Sequence, residues 1–300
     1  MRILVTGSGG QLGTDVARLA SLEPRHDVTA AAHGDLDVGD RDAVLSAITA
    51  LAPDLVVHAA AWTAVDACEA DPDRAYRVNA LGCRNVAEAA RLAGAHLVAV
   101  STDYVFDGRS PAPYTEWDRP NPQSVYGRSK LAGEAEVAAA APGATIVRTS
   151  WVCGPHGSNM VKAVLRLAAG GGTLRFVDDQ AGCPTFTEDL ARMLLTLGLA
   201  RRPGLFHVTN QGATTWYRFA RDILAAAGQD PARVTPISTD ELDPPRPAPR
   251  PANSVLDNAA LRLSGIPLLA DHHEPLERTV KALARRTMPP PRPSPTEPRS

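Results

Sequence analysis

An α/β fold, with a doubly wound parallel sheet and a smaller C-terminal cap, is predicted by three observations. A short apolar run, Arg2 to Thr6, leads straight into a glycine-rich turn, Gly7-Ser8-Gly9-Gly10-Gln11-Leu12-Gly13. Short apolar runs then alternate with helical patterns as far as about residue 150. After Trp151 that alternation lapses. Strand and helix in strict alternation call for parallel strands joined by right-handed crossovers.

The first strand, turn and following helical pattern (Val16, Leu19, Ala20) make the opening of a Rossmann-type dinucleotide fold. Glycine lets the backbone approach a pyrophosphate, and the helix start supplies free N–H groups for it. The spacing is Gly7-x-x-Gly10-x-x-Gly13 rather than G-x-G-x-x-G. A second strand is expected over Val28 to Ala32. No acid ends it, so nothing there repels a 2′-phosphate, and NADPH is permitted. Asp37 is placed to meet adenine; Asp40 reads equally as a helix N-cap.

Asp54 to His58 is an unbroken apolar run, as in a strand covered on both faces. The small residues Ala59-Ala60-Ala61 after it leave room for a cofactor, or serve tight packing. One long helix is expected from Pro72 to Ala93, with Asn79 bonding toward the sheet. The strand His96 to Val100 delivers Thr102 to the C-terminal edge, where open parallel sheets keep their sites. Asp107 to Gln123 is Pro- and Gly-rich, a loop or flap. A helix from Ser124 puts Tyr126 and Lys130 on one face. An ammonium there would lower the phenol's pKa, and Thr102 could align a carbonyl beside it. Together these groups equip a site for reducing a ketone with hydride. The fifth strand is Ala144 to Thr149.

Beyond Trp151, helices are expected at 159–169, 187–199, 215–227, 259–263 and 275–284, with strands at 174–177 and 205–207. The Pro-rich run 244–251 is extended. Residues 1–150 are thus expected to form the dinucleotide domain, joined by part of 178–215. Residues 151–287 mainly form the substrate-binding cap, and 288–300 form a disordered Pro-rich tail. The 300 residues are 44% hydrophobic with formal net charge −2, enough for a sizeable core and without a basic face for nucleic acid. No run reaches the length of a membrane span, and the first residues lack the pattern of a signal peptide, so the cytoplasm is expected. Cys68, Cys83, Cys153 and Cys183 form no C-x-x-C pair and read as buried hydrophobes. His272-His273 reads as surface loop, and no metal is expected.

Taken together, these residues resemble the extended short-chain dehydrogenases/reductases, and within them the dTDP-4-dehydrorhamnose reductase family. The resemblance runs to about residue 285. It is carried by the glycine turn, Ala59-Ala60-Ala61-Trp62-Thr63-Ala64-Val65-Asp66, Ser101-Thr102-Asp103-Tyr104-Val105-Phe106, Tyr126-Gly127-Arg128-Ser129-Lys130, Arg148-Thr149-Ser150-Trp151-Val152, Asp178-Asp179-Gln180 and Arg250-Pro251-Ala252-Asn253. It implies NADPH- or NADH-dependent reduction of the 4-keto group of a dTDP-6-deoxy-hexulose by a monomer or homodimer. It also implies that Tyr126 is the general acid, that Lys130 lowers its pKa and holds the nicotinamide ribose, and that Thr102 aligns the keto oxygen. Gly7, Gly10, Gln11, Leu12 and Gly13 would meet the pyrophosphate, and Asp37 and Val38 the adenosine. Ala60, Ala61 and Thr63 would line the rest of the cofactor, while Val65, Asp103, Tyr104 and Trp151 would shape the sugar pocket. Some relatives dimerise through magnesium held by acidic residues, but this chain has Asp15 where they have Glu. A Trp common near the last helix is replaced by Ala270-Asp271-His272-His273. That leaves open a streptose-type or antibiotic deoxysugar. An epimerase with tightly held NAD, or a non-catalytic regulatory subunit, are the other readings.

Overall fold

The computed structural model describes residues 1–287, so the expected tail 288–300 lies outside the described residues. In the first half the elements are β1 (Arg2–Thr6), α1 (Gln11–Ala20), β2 (Asp27–Ala31), α2 (Arg41–Leu51), β3 (Leu55–His58), α3 (Val65–Ala70), α4 (Pro72–Tyr76), α5 (Gly82–Leu92), β4 (His96–Thr102), α6 (Val125–Ala140) and β5 (Thr145–Thr149). After them come β6 (Val152–Cys153), α7 (Met160–Ala168), β7 (Leu174–Val177), β8 (Ala181–Gly182), β9 (Thr185–Phe186), α8 (Thr187–Leu199) and β10 (Gly204–His207). The last are β11 (Thr214–Thr215), α9 (Trp216–Ala226), β12 (Val234–Ile237), α10 (Ala259–Leu263) and α11 (His273–Thr287). None of these helices is long and apolar enough to cross a membrane.

Six strands form one parallel sheet in the order β10-β5-β4-β3-β1-β2. The unbroken apolar runs are explained by its two covered faces. Ile3, Val5, Leu55, Val57, Val98 and Val147 pack against Leu12 and Val16 of α1 and Leu190 and Leu194 of α8. Their neighbours Leu4, Val56, Leu97 and Ala99 point the other way, into Val44 and Ile48 of α2, Val86 and Ala90 of α5 and Val137 of α6. The period of two along each strand thus feeds two separate cores. A third core joins α7 and α9 through Val161, Val164, Phe219, Ile223 and Leu224, with Phe186 and Leu276. All four cysteines are free and buried.

Three expectations change. The single helix over 72–93 is interrupted by a π-helical turn, Arg77–Leu81, that carries Asn79. The segment 107–123 is tied down rather than free to flap. The Tyr114 N–H donates to the Val255 carbonyl, and Asp257 N–H donates to the Tyr114 carbonyl. The pair His272-His273 is not surface loop, since His272 is only 2% exposed and α11 starts at His273. Asp40 does cap α2, accepting the Ala43 N–H.

Two core histidines make stability depend on pH. His58 on β3 bonds the Thr6 hydroxyl at 2.7 Å through Nδ1, and its Nε2 has no hydrogen-bond partner. Burial, with a smaller contribution from Lys130, lowers its pKa to about 3; burial, then Arg148, does the same for His207. In the unfolded chain both take a proton near the ordinary value of about 6.5. Between about 6.5 and 3 the unfolded state therefore binds more protons, and stability is lost as pH falls through that window. Each histidine contributes a slope of about 1.4 kcal/mol per pH unit. Urea midpoints should drop steadily below pH 6.5, with a shallower slope in His58→Asn. The same slope in that variant would mean that His58 is not held neutral.

Candidate active site

The glycine turn forms because the chain must reverse between β1 and α1 while pressed against β3. Gly7 has φ +72°, and a Cβ there would lie 2.5 Å from the Ala60 nitrogen, so only glycine fits. Gly10 is the N-cap of α1 and no side chain caps it. The first N–H groups of the helix are left available for an anion, which its dipole also favours. Gln11 is held in place because its Oε1 accepts from Asn159 Nδ2 at 2.8 Å.

Thr102, Tyr126 and Lys130 line one cavity of about 400 Å³ at the C-terminal edge of the sheet. Gly10, Gln11, Leu12, Gly13, Ala61, Thr63, Val65, Asp103, Tyr104 and Trp151 share its walls. Ser124 caps α6 by accepting the Gly127 N–H, which starts the helix one residue before Tyr126. Gly127 lets α6 press against the Tyr104 turn: a Cβ would lie 2.2 Å from the Tyr104 carbonyl oxygen. The Tyr104 and Tyr126 rings meet edge to face, with centroids 5.4 Å apart. Thr102 Oγ1 donates to Asp103 Oδ1 at 3.0 Å and accepts the Tyr104 N–H. Burial pushes the Asp103 carboxyl up to about 6, against hydrogen bonds from Ser254 and Thr102.

The electrostatics differ from the expectation that Lys130 lowers the Tyr126 pKa. Burial pushes the phenol well above its ordinary value, and the hydrogen bond with Thr102 is what works downward. Lys130 is itself buried and donates from Nζ to the Val100 carbonyl at 2.8 Å. The Tyr126 phenol is therefore neutral near pH 7.

A second cavity of about 480 Å³ continues across the turn, lined by Gly7, Gly10, Ala32, His33, Asp37, Val38, Ala60, Ala61 and Arg74. Gly10, Ala59 and Ala61 belong to both cavities, so the two are continuous across the glycine turn. Asp37 lies there but is engaged by the Gly39 N–H and by Arg77. Burial works upward on its pKa, yet those two partners hold it below the usual carboxylate value. Arg77 and Arg74 could not be assigned to this end from the sequence, since they stand about forty residues from Asp37 on another element. Asp15, by contrast, sits outside the groove, buried and bonded to Thr187 and Arg18.

Two residues to which sequence reasoning assigned no role, Trp216 and Arg250, complete the site together with Asn79, whose polar side-chain role was expected. Trp216, at the start of α9, stacks on Trp151 with centroids 3.5 Å apart and lines the first cavity. Trp151 takes φ +45°, which a non-glycine residue adopts only under tertiary constraint. Arg250 pairs with Asp66 at 2.7 Å beside Tyr104, tethering the Pro-rich segment to the pocket. Asn79, fully buried in the π-turn, accepts the Trp62 N–H at 2.8 Å. It donates to the Trp62 carbonyl and to the Ser129 hydroxyl. It thereby joins the 59–63 wall to α6. Asn79→Ala should cost about 1–3 kcal/mol of stability by stranding these partners, and should raise the dinucleotide KM. Urea denaturation and a KM measurement check both; no change in either would remove Asn79 from that role.

The RmlD substrate binding domain family matches residues 1–285. A dTDP-4-dehydrorhamnose reductase of Streptomyces griseus is 43% identical over 95% of this chain and 95% of its own length. A crystal structure of a dTDP-4-dehydrorhamnose reductase from Clostridium acetobutylicum is 42% identical, with a TM-score of 0.91 over 95% of this chain and 100% of that one. The Bacillus anthracis dTDP-4-dehydrorhamnose reductase, solved in complex with NADP, is 38% identical with a TM-score of 0.89, covering 94% of this chain and 99% of that one.

Proposed function

Because the chain belongs to the RmlD substrate binding domain family, we propose that it is a dTDP-4-dehydrorhamnose reductase, converting dTDP-4-dehydro-L-rhamnose to dTDP-L-rhamnose with NADPH, or NADH, as reductant. The observation that carries this reading is the convergence of Thr102, Tyr126 and Lys130 on one cavity continuous with the glycine turn. The groove suits the cofactor: uncapped N–H groups face it at Gly10, and its far end is lined by His33 and Arg74.

When bound, the cofactor supplies a hydride to the C4 carbonyl carbon of the sugar. The residues supply the rest. Tyr126, kept neutral by burial, hands its phenolic proton to the keto oxygen as negative charge develops there. The Thr102 hydroxyl turns from Asp103 toward the same oxygen and stabilises it. Lys130 places a positive charge where the phenol becomes phenolate. Its bond to Val100 fixes that charge on the sheet edge. Trp151, stacked on Trp216, and Tyr104 wall off the sugar from water. The enzyme acts as a cytoplasmic monomer or homodimer.

The test is NADPH oxidation with a panel of dTDP-4-keto-6-deoxy sugars, followed by identification of the product. dTDP-L-rhamnose from the 4-keto precursor is expected. Stoichiometric bound NAD with no net NADPH consumption would replace this reading by an epimerase. Failure with every sugar would point to a non-catalytic subunit.

A further inference from the structure

Away from the groove, α9 and the start of α11 bring together Asp222, His272 and His273, whose ligand atoms all lie within 4.8 Å of one another. We propose that these three side chains bind one transition-metal ion of the zinc class and so clip the C-terminal helix to α9. The hydrogen-bond pattern around them is the argument. His272 Nδ1 is 3.2 Å from the Gln211 carbonyl oxygen, and His273 Nδ1 is 2.6 Å from Asp271 Oδ1. In each ring the Nδ1–H is thus used up on an oxygen, leaving the Nε2 lone pair as the available donor. An outer oxygen that fixes the tautomer in this manner is the usual setting of a metal-bound histidine.

Both Nε2 atoms face the same carboxylate oxygen. Asp222 Oδ2 lies 3.8 Å from His272 Nε2 and 3.6 Å from His273 Nε2. These separations are too long for hydrogen bonds. They approach the ~3.3 Å between two ligands on a tetrahedral zinc with bonds of about 2.0–2.1 Å. His272 is only 2% exposed, and its Nε2 has no hydrogen-bond partner. A buried polar atom in that condition is costly, and a cation would satisfy it. The carboxylates of Asp222 and Asp271 together balance a dication. His273 and Asp222 are partly exposed, which leaves ion entry and a fourth, water-filled position open. An imidazole pair with one carboxylate, and no thiolate nearby, suits zinc, nickel or cobalt rather than calcium or magnesium.

The experiment uses the full chain, stripped with chelator and titrated calorimetrically with Zn²⁺. Native protein should take up one equivalent and gain melting temperature with added zinc. Co²⁺ in place of Zn²⁺ should give visible bands without thiolate charge transfer. His273→Ala and Asp222→Asn should abolish the stoichiometric uptake, and Asp271→Asn should weaken it by about 10–100-fold. Far-UV circular dichroism confirms that each variant is folded. Failure of the native protein to bind near one equivalent would leave only His–Asp ion pairs and overturn the proposal. Uptake unaltered in His273→Ala and Asp222→Asn, or thiolate bands with Co²⁺, would place the metal elsewhere and overturn it too.

Discussion

Tyr126→Phe should lower turnover by about 10²–10⁴ while the dinucleotide still binds. The change removes one oxygen and leaves the ring in its edge-to-face contact with Tyr104, so little packing is lost. What disappears is the phenolic proton on the hydroxyl that hydrogen-bonds with Thr102 in the cavity. Steady-state kcat with saturating sugar, beside NADPH affinity by fluorescence, separates chemistry from binding. Near-normal kcat would take Tyr126 out of the reaction, and lost NADPH affinity would make its role structural.

The second large effect is on stability. Tyr126, Lys130 and Glu134 follow one another at four-residue intervals along α6, and the third of them is an anchor. Glu134 accepts from Arg148 Nε at 2.9 Å and Nη2 at 2.7 Å, and from the Ser101 hydroxyl at 2.5 Å. Arg148 is 3% exposed and Glu134 9%, so the pair is cut off from water. Glu134→Ala strands a guanidinium in the core over the Phe106 ring, which should cost about 3–5 kcal/mol. The double replacement Glu134→Leu with Arg148→Met should recover much of that, because no charge is then left buried. Chemical denaturation of the three proteins decides it. A loss below about 1 kcal/mol in the single variant, the range of exposed pairs, would mean that water reaches the arginine.

Much of the sheet was legible because strands covered on both faces need unbroken apolar runs. The turn, cap and i,i+4 signals are equally local. Arg2 to Thr6 and Ser124 to Lys130 carry their reasons within a few residues. What stayed hidden depends on partners distant in sequence. The π-turn at Arg77–Leu81 exists where Asn79 reaches Trp62 and Ser129, fifty residues away in the latter case. The Trp151–Trp216 stack and the Arg250–Asp66 pair join segments that no periodicity connects. The phenol's environment was misjudged because a four-residue spacing places Lys130 beside Tyr126 without saying how dry the site is. In the folded chain, burial is the largest influence on the phenol and raises its pKa. His272-His273 read as loop because burial of His272 comes from α9.

Strand β10 lies beside β5, although more than fifty residues separate them along the chain. A fragment stopped after Thr149 would bare the edge of Thr145 to Arg148 that faces β10, together with the apolar surface that Leu190 and Leu194 shield. Such a truncation would be a template for intermolecular strand addition rather than a free-standing nucleotide binder. During synthesis, too, the edge of β5 stays unpaired until β10 has emerged.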